Sequence, residues 1–237
     1  TAPGVDDDAP APRAAPALRR AAGVGATPLP GATPAPLSAK PASKNPAAAA
    51  AFAAANQALQ KGDTNSGIAG LRKAIKLDPR MAVAHMNLAI AYLQTKKPEK
   101  AVAEMRVVTH LAPDDAAAQF QLGQLLLDLQ RPAEALLPLR AAVKMEPDEQ
   151  GAQALLARVL MEQKQYPAAY AIWVKLAGVA KHDAEPCLAA AALSNDAFKK
   201  PAQAQQWLRR AIAANPRDPR GAMMLARMLT AAGKNGD

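Results

Sequence analysis

The chain has 237 residues and a formal net charge of +9; half of it is apolar, yet only 3% is aromatic. Its one cysteine, Cys187, excludes an internal disulfide, and no uninterrupted apolar run reaches the length that spans a bilayer. Alanine and leucine dominate over β-branched and aromatic residues, which favours helices over sheets.

Residues 1–47 hold ten of the 21 prolines and show neither helical nor strand periodicity. Proline fixes φ and removes a backbone donor, so this segment reads as an extended or disordered N-terminal arm, partly polyproline II. It serves as a tether or as an arm that orders on a partner. Asp6–Asp8 and the stretch "ALRR" at 17–20 are its candidate contact points. The start at Thr1 has two readings, a removed secretory leader or a shortened chain; the first places the protein in the periplasm or outside the cell, the second leaves the cytoplasm open.

From Ala48 onward, apolar residues recur at i, i+3, i+4 and i+7 in segments separated by short polar breaks, the mark of amphipathic helices. The breaks are "KGDTN" at 61–65, "TKKPE" at 95–99, "LQRPAE" at 129–134, "KQYP" at 164–167 and "FKKPA" at 198–202. Pro79, Pro113 and Pro147 follow one another at intervals of 34 residues. They delimit units 48–81, 82–115, 116–149 and 150–183; a fifth fits at 185–218 after one inserted residue, and a last helix spans 219–233. The eighth position of each unit is small (Ala55, Ala89, Gly123, Ala157, Ala192), as is the twentieth (Gly67, Ala101, Ala135, Ala169, Ala204). The twenty-fourth is large: Leu71, Met105, Leu139, Trp173, Leu208. Two helices that approach closely and interlock at a large residue produce that alternation. Pro98, Pro132 and Pro201 suit a first helical turn. Pro138 falls inside a helix and predicts a bend near Glu134–Pro138. The alanines of unit one predict a loosely packed first repeat. Arg220, Arg227 and Lys234 predict a solvated capping helix.

This pattern resembles the tetratricopeptide repeat, whose helix pairs recur at 34 residues. The resemblance covers 48–233. Its closest stretch is "MNLAIAYLQTKKPEKAVAEMRVVTHLAP", in which Leu88, Ala89, Tyr92, Ala101 and Pro113 fall on family positions. It implies an all-α fold: an α-solenoid of five helix-turn-helix repeats and a C-terminal capping helix, wound as a right-handed superhelix, with the domain spanning 48–237. One departure stands out. The aromatic residue usual early in the first helix is replaced by His85, Gln119 and Gln153.

In this family the first helix of each pair lines a concave groove. The resemblance therefore implies a partner site at Phe52 and Asn56 in unit one, Met86, Asn87 and Ile90 in unit two, Phe120, Gln121 and Gln124 in unit three, and Arg158 and Met161 in unit four. Amides bond a peptide backbone, and Phe and Met accept varied side chains. Phe52 and Met86 stand where the family's chaperone-binding members carry lysines of a carboxylate clamp, which speaks against that mode.

No histidine pairs with Cys, Asp or Glu at metal-ligand spacing, and no nucleophile elbow, Walker loop or zincin motif is present. The expectation is no enzyme, no metal and no cofactor. Lys96–Lys97, Lys199–Lys200 and Arg209–Arg210 are basic, but no aromatic residues interleave with them to stack bases, so nucleic acid is not the expected partner. The leading reading is a non-catalytic interaction scaffold, assembly factor or accessory subunit of an exported bacterial complex, with a membrane complex among the assemblies it suits. The alternatives are a regulatory or targeting module separated from a catalytic chain, and a basic-surface binder of nucleic acid or envelope polymer.

Overall fold

A computed structural model describes residues 43–233, so residues 1–42 of the expected arm and Lys234 lie outside the described residues. The described residues form eleven α-helices and one π-helical turn, with no strand among them. They fall into two compact units, 43–165 and 166–233. The first unit contains α1 (Pro46–Gln60), α2 (Thr64–Leu77), α3 (Ala82–Gln94), α4 (Pro98–Leu111), α5 (Ala116–Asp128), α6 (Pro132–Met145) and α7 (Gln150–Glu162). The second contains α8 (Tyr166–Val179), α9 (Glu185–Ala192) continued by the π-turn Leu193–Ala197, α10 (Pro201–Ala214) and α11 (Pro219–Ala231). The expected all-α class and its helix-turn-helix repeats are what the chain adopts.

Each boundary has a local cause. Asp63, Asp115 and Asp218 cap α2, α5 and α11 by accepting from the amides of Ser66, Ala118 and Arg220 at 3.0, 2.9 and 3.0 Å. Pro98, Pro132 and Pro201 open α4, α6 and α10 at the first helical position, where a missing N–H loses no bond. One left-handed residue follows each of α1, α3, α5, α7 and the π-turn: Gly62, Lys96, Gln130, Lys164 and Lys199, with φ between 55° and 81°. In the first four turns the next amide reaches back five residues. Asp63, Lys97, Arg131 and Gln165 donate to Ala58, Leu126's counterpart Tyr92, Leu126 itself and Leu160 at 2.8–3.0 Å. Four of the five positions hold a side chain where glycine would rest without strain. The lysines here shape the turn as well as facing solvent.

The small and large positions interlock as the repeat requires. Ala101, Ala135, Ala169 and Ala204 are fully buried, as are Leu71, Leu139 and Leu208. A Cβ on Gly123 of α5 would stand 2.5 Å from Leu139 Cγ of α6, so the large group of one helix fills the space the glycine leaves. The first repeat is not loose. A Cβ on Gly70 of α2 would come within 2.8 Å of the Ala55 Cβ of α1, so the two backbones meet closely through small residues, and Phe52 and Leu71 are buried between them and their neighbours. Its alanines tighten the pair where larger groups would hold it apart.

Pro138 does not end α6, which runs from Pro132 to Met145 with the proline ring buried. Lacking an N–H, Pro138 leaves the Glu134 carbonyl without its helical donor. On the outer surface, Arg131 pairs with Glu134 at 2.6 Å and with Glu99 at 2.7 Å, and Arg106 also pairs with Glu134.

In the second unit, Tyr170 of α8 holds a small aromatic group together. Its hydroxyl accepts from the Trp207 indole at 3.0 Å and its ring meets Phe198 edge-on at 5.3 Å between centroids. Arg210 lies 4.5 Å over the Trp207 ring and donates to the Ala177 carbonyl. That basic residue thus serves packing. Cys187 is buried, and burial raises its thiol pKa despite the opposing charge of Arg210. Arg220 is not freely solvated as a capping residue would be: it pairs with Glu185 of α9 at 2.6 Å and with Asp218 at 2.7 Å. The guanidinium pushes the Asp218 carboxyl below its ordinary range.

Candidate partner-binding face

All ten site residues expected from the sequence lie in the first unit, on α1, α3, α5 and α7, the first helices of successive pairs. They divide by depth. Met86, Ile90, Phe120, Gln121, Gln124 and Arg158 are half-exposed. Phe52, at 1% exposure, and Asn87, also at 1%, are interior groups, and Asn56 and Met161 are buried with them. The half-exposed set occupies the fifth, sixth and ninth positions of its helices, one stripe a little over one turn long.

The buried amides are spent on the chain itself. Asn87 Nδ2 of α3 donates to Asn56 Oδ1 of α1 at 2.9 Å, fastening the first helices of repeats one and two. The remaining Asn87 carbonyl oxygen is buried with no partner. Phe120 leans toward α7: a Cβ on Gly151 would lie 3.6 Å from its ring tip.

Charge enters at one end of the stripe. Arg158 of α7 acts on Asp128 of α5 and Glu162 of α7, lowering both carboxyl pKa values against a larger upward push from burial, so both stay above their ordinary range. Both residues keep solvent contact. The sequence reading passed over these two acids. The signal was present, because Asp128 and Glu162 each occupy the thirteenth position of a first helix, and Glu162 sits four residues after Arg158.

The replaced aromatic position has a physical role. Gln119 donates to the Pro113 carbonyl at 3.5 Å, Gln153 donates to the Pro147 carbonyl, and His85 Nε2 stands 3.1 Å from the Pro79 carbonyl. Each fourth-position side chain bonds the proline that closed the preceding pair. His110 and His182 are exposed. Among the described residues, no three His, Cys, Asp or Glu side chains gather in a group that holds a metal, and no helix is long and apolar enough to cross a membrane.

Helix pairs at a 34-residue interval, interlocked by small and large residues and presenting a mixed apolar and amide stripe, define an α-helical repeat protein of the interaction class. Two sequence models described as tetratricopeptide repeat match residues 58–125 and 120–178. The chain belongs to the tetratricopeptide repeat family. No curated protein matches it. Among solved structures it is similar to YrrB, described as a TPR protein with an unusual peptide-binding site, at 18% identity over 72% of this chain and 87% of that one, with a TM-score of 0.63. It is similar to PilF of Pseudomonas aeruginosa at 22% identity, 79% and 85% coverage and a TM-score of 0.56. It is also similar to PilW, described as a widely conserved type IV pilus biogenesis factor, at 18% identity, 80% and 88% coverage and a TM-score of 0.54. At these identities the likeness is one of fold. Proteins built of this repeat generally serve as interaction scaffolds.

Proposed function

We propose that this protein is a non-catalytic scaffold or assembly factor that seats a partner segment along the stripe formed by α3, α5 and α7. The observation that carries this reading is the half-open set Met86, Ile90, Phe120, Gln121, Gln124 and Arg158, which recurs at equivalent positions on three successive first helices. Met86, Ile90 and Phe120 offer adaptable apolar contact; Gln121 and Gln124 offer donors and acceptors to a peptide backbone. Arg158, between Asp128 and Glu162, gives that end a polar preference. Phe52, Asn56, Asn87 and Met161 support the stripe from beneath. In this reading residues 1–47 act as a tether or second contact for the repeat domain at 48–237. The pilus biogenesis protein among the structural neighbours supports an exported, envelope-associated complex as the setting, and the peptide-binding neighbour supports a protein segment as the partner.

Affinity capture from native extract tests this. Met86→Glu combined with Phe120→Glu places two charges on the stripe without touching a fully buried side chain. Partner capture should drop at least tenfold while helicity by circular dichroism and the melting temperature stay close to those of the parent. Capture that survives the double change sinks the stripe as the site. Removal of residues 1–47 then reports how much of the affinity the arm supplies.

A further inference from the structure

Of the three side chains that bond a closing proline, His85 alone has a second partner. Its Nδ1 lies 2.6 Å from Glu104 Oε2 on α4, while its Nε2 lies 3.1 Å from the Pro79 carbonyl in the link before α3. A carboxylate and a carbonyl only accept, so both ring nitrogens must donate, and that is the imidazolium. A neutral ring has one N–H and leaves one acceptor facing a lone pair at a residue only 6% exposed. The combination occurs once in the repeat series. Glutamines stand at the histidine's place in repeats three and four, and Gly70, Pro138 and Ile172 stand at the place of Glu104 in repeats one, three and four.

We propose that His85 and Glu104 form a proton-operated latch at the junction of repeats one and two, closed while the ring is doubly protonated and weakened when it loses a proton. The latch joins three pieces: the link that leaves α2, the first helix α3 and the second helix α4. The charged groups on these elements are few. α1 and, apart from His85, α3 carry none; α2 carries Arg72, Lys73 and Lys76, all exposed; the link carries Asp78 and Arg80; and α4 carries Glu99, Lys100, Arg106 and His110 besides Glu104. Only Glu104 contacts the imidazole. Asp78 is occupied by the Ser43 hydroxyl and the Arg80 amide. Burial pushes the ring pKa down, but the bonds to Glu104 and the Pro79 carbonyl, with the charge of Glu104, outweigh it and leave the ring above the ordinary 6.5.

The direction of the effect follows. A ring whose folded-state pKa is raised contributes its full stabilisation below the unfolded value of 6.5, and that contribution is lost as pH rises through the folded value. The folding constant falls about tenfold for each pH unit by which the folded value exceeds the unfolded one.

Two measurements on the full chain test the latch. The first is an NMR titration of the His85 ring. Its midpoint should lie above the ordinary 6.5, and Glu104→Gln should bring it down. The second is urea unfolding from pH 5.5 to 8.5. The parent should lose stability as pH rises, and His85→Gln, which installs the pH-independent donor of repeats three and four, should flatten that slope. A His85 midpoint at or below 6.5, or a His85→Gln variant with the parent's slope, overturns the proposal. Should His85→Gln fail to fold, the ring titration of the parent and of Glu104→Gln still decides.

Discussion

In the third repeat the first helix closes on Leu129, Gln130 takes φ +57°, and the Arg131 amide reaches back five residues to Leu126 at 2.8 Å. In the fifth repeat the same reversal is made at Lys199, with φ +55°, but the last five residues before Phe198 wind as a π-turn, and the Lys200 amide reaches back six residues to Ser194 at 2.7 Å. Both first helices span 13 residues, and both keep their small eighth and large twenty-fourth positions, Gly123 with Leu139 and Ala192 with Leu208. The widened turn leaves a residue of another kind inside. Ser194 is fully buried and its hydroxyl has no partner, where repeats two to four place Ala91, Leu125 and Val159; Asp196 Oδ2 is likewise without one. The repeat therefore defends its interlocking positions and lets the end of the first helix vary.

Five substitutions probe that contrast. Leu139→Ala and Leu208→Ala remove matching large groups from the two repeats, and each should cost about 2–5 kcal/mol by chemical denaturation. A cost at position 208 of less than half that at 139 would mean that the fifth repeat has relaxed its interlock as well as its turn. Gln130→Gly and Lys199→Gly should each add about 1 kcal/mol, because glycine takes the left-handed conformation without a Cβ penalty. Equal gains would show that the two turns carry the same strain despite different hydrogen bonding; a gain at only one would separate them. Ser194→Ala removes a hydroxyl that bonds nothing and improves helix propensity, so it should raise the melting temperature slightly, by about 0.5 kcal/mol of stability. A loss would point to a partner for that hydroxyl and weaken the contrast.

The helix pairs were legible because they rest on local causes: prolines at first turns and a small-to-large alternation at a fixed interval. The inserted residue before 185 was legible for the same reason, since it displaces the interval by one. Less visible were features that depend on the chain folding back. The bond from His85, Gln119 or Gln153 to a proline six residues earlier has no periodic signature, and in a linear reading it looked like the loss of an aromatic. In four of the five turns the left-handed residue was hidden, because lysine or glutamine stands where glycine, as at Gly62, announces it. The looseness expected of the first repeat failed because alanine content was read as missing volume, whereas Gly70 and Ala55 use it to bring two backbones together. On the proposed partner face, position numbers give no depth: Asn87 and Gln121 both stand at sixth positions, yet Asn87 is buried and bonded to Asn56 while Gln121 is half-exposed. At Pro138, where a bend is expected, α6 runs on unbroken and tolerates one missing donor.

The links between pairs are four residues long at 78–81, 112–115, 146–149 and 215–218, but five at 180–184. That longer link replaces the closing proline with Lys181, exposes Lys181, His182 and Asp183, and leads to Leu188 where the earlier repeats place a side chain that bonds back to the proline. Its end is anchored, because Asp183 accepts from the Glu185 amide at 2.9 Å and Ala184 is buried, while Lys181 and His182 before it are exposed. The link is the natural splice point of the chain, where a loop or a tag can be inserted at the smallest loss to the helices on either side.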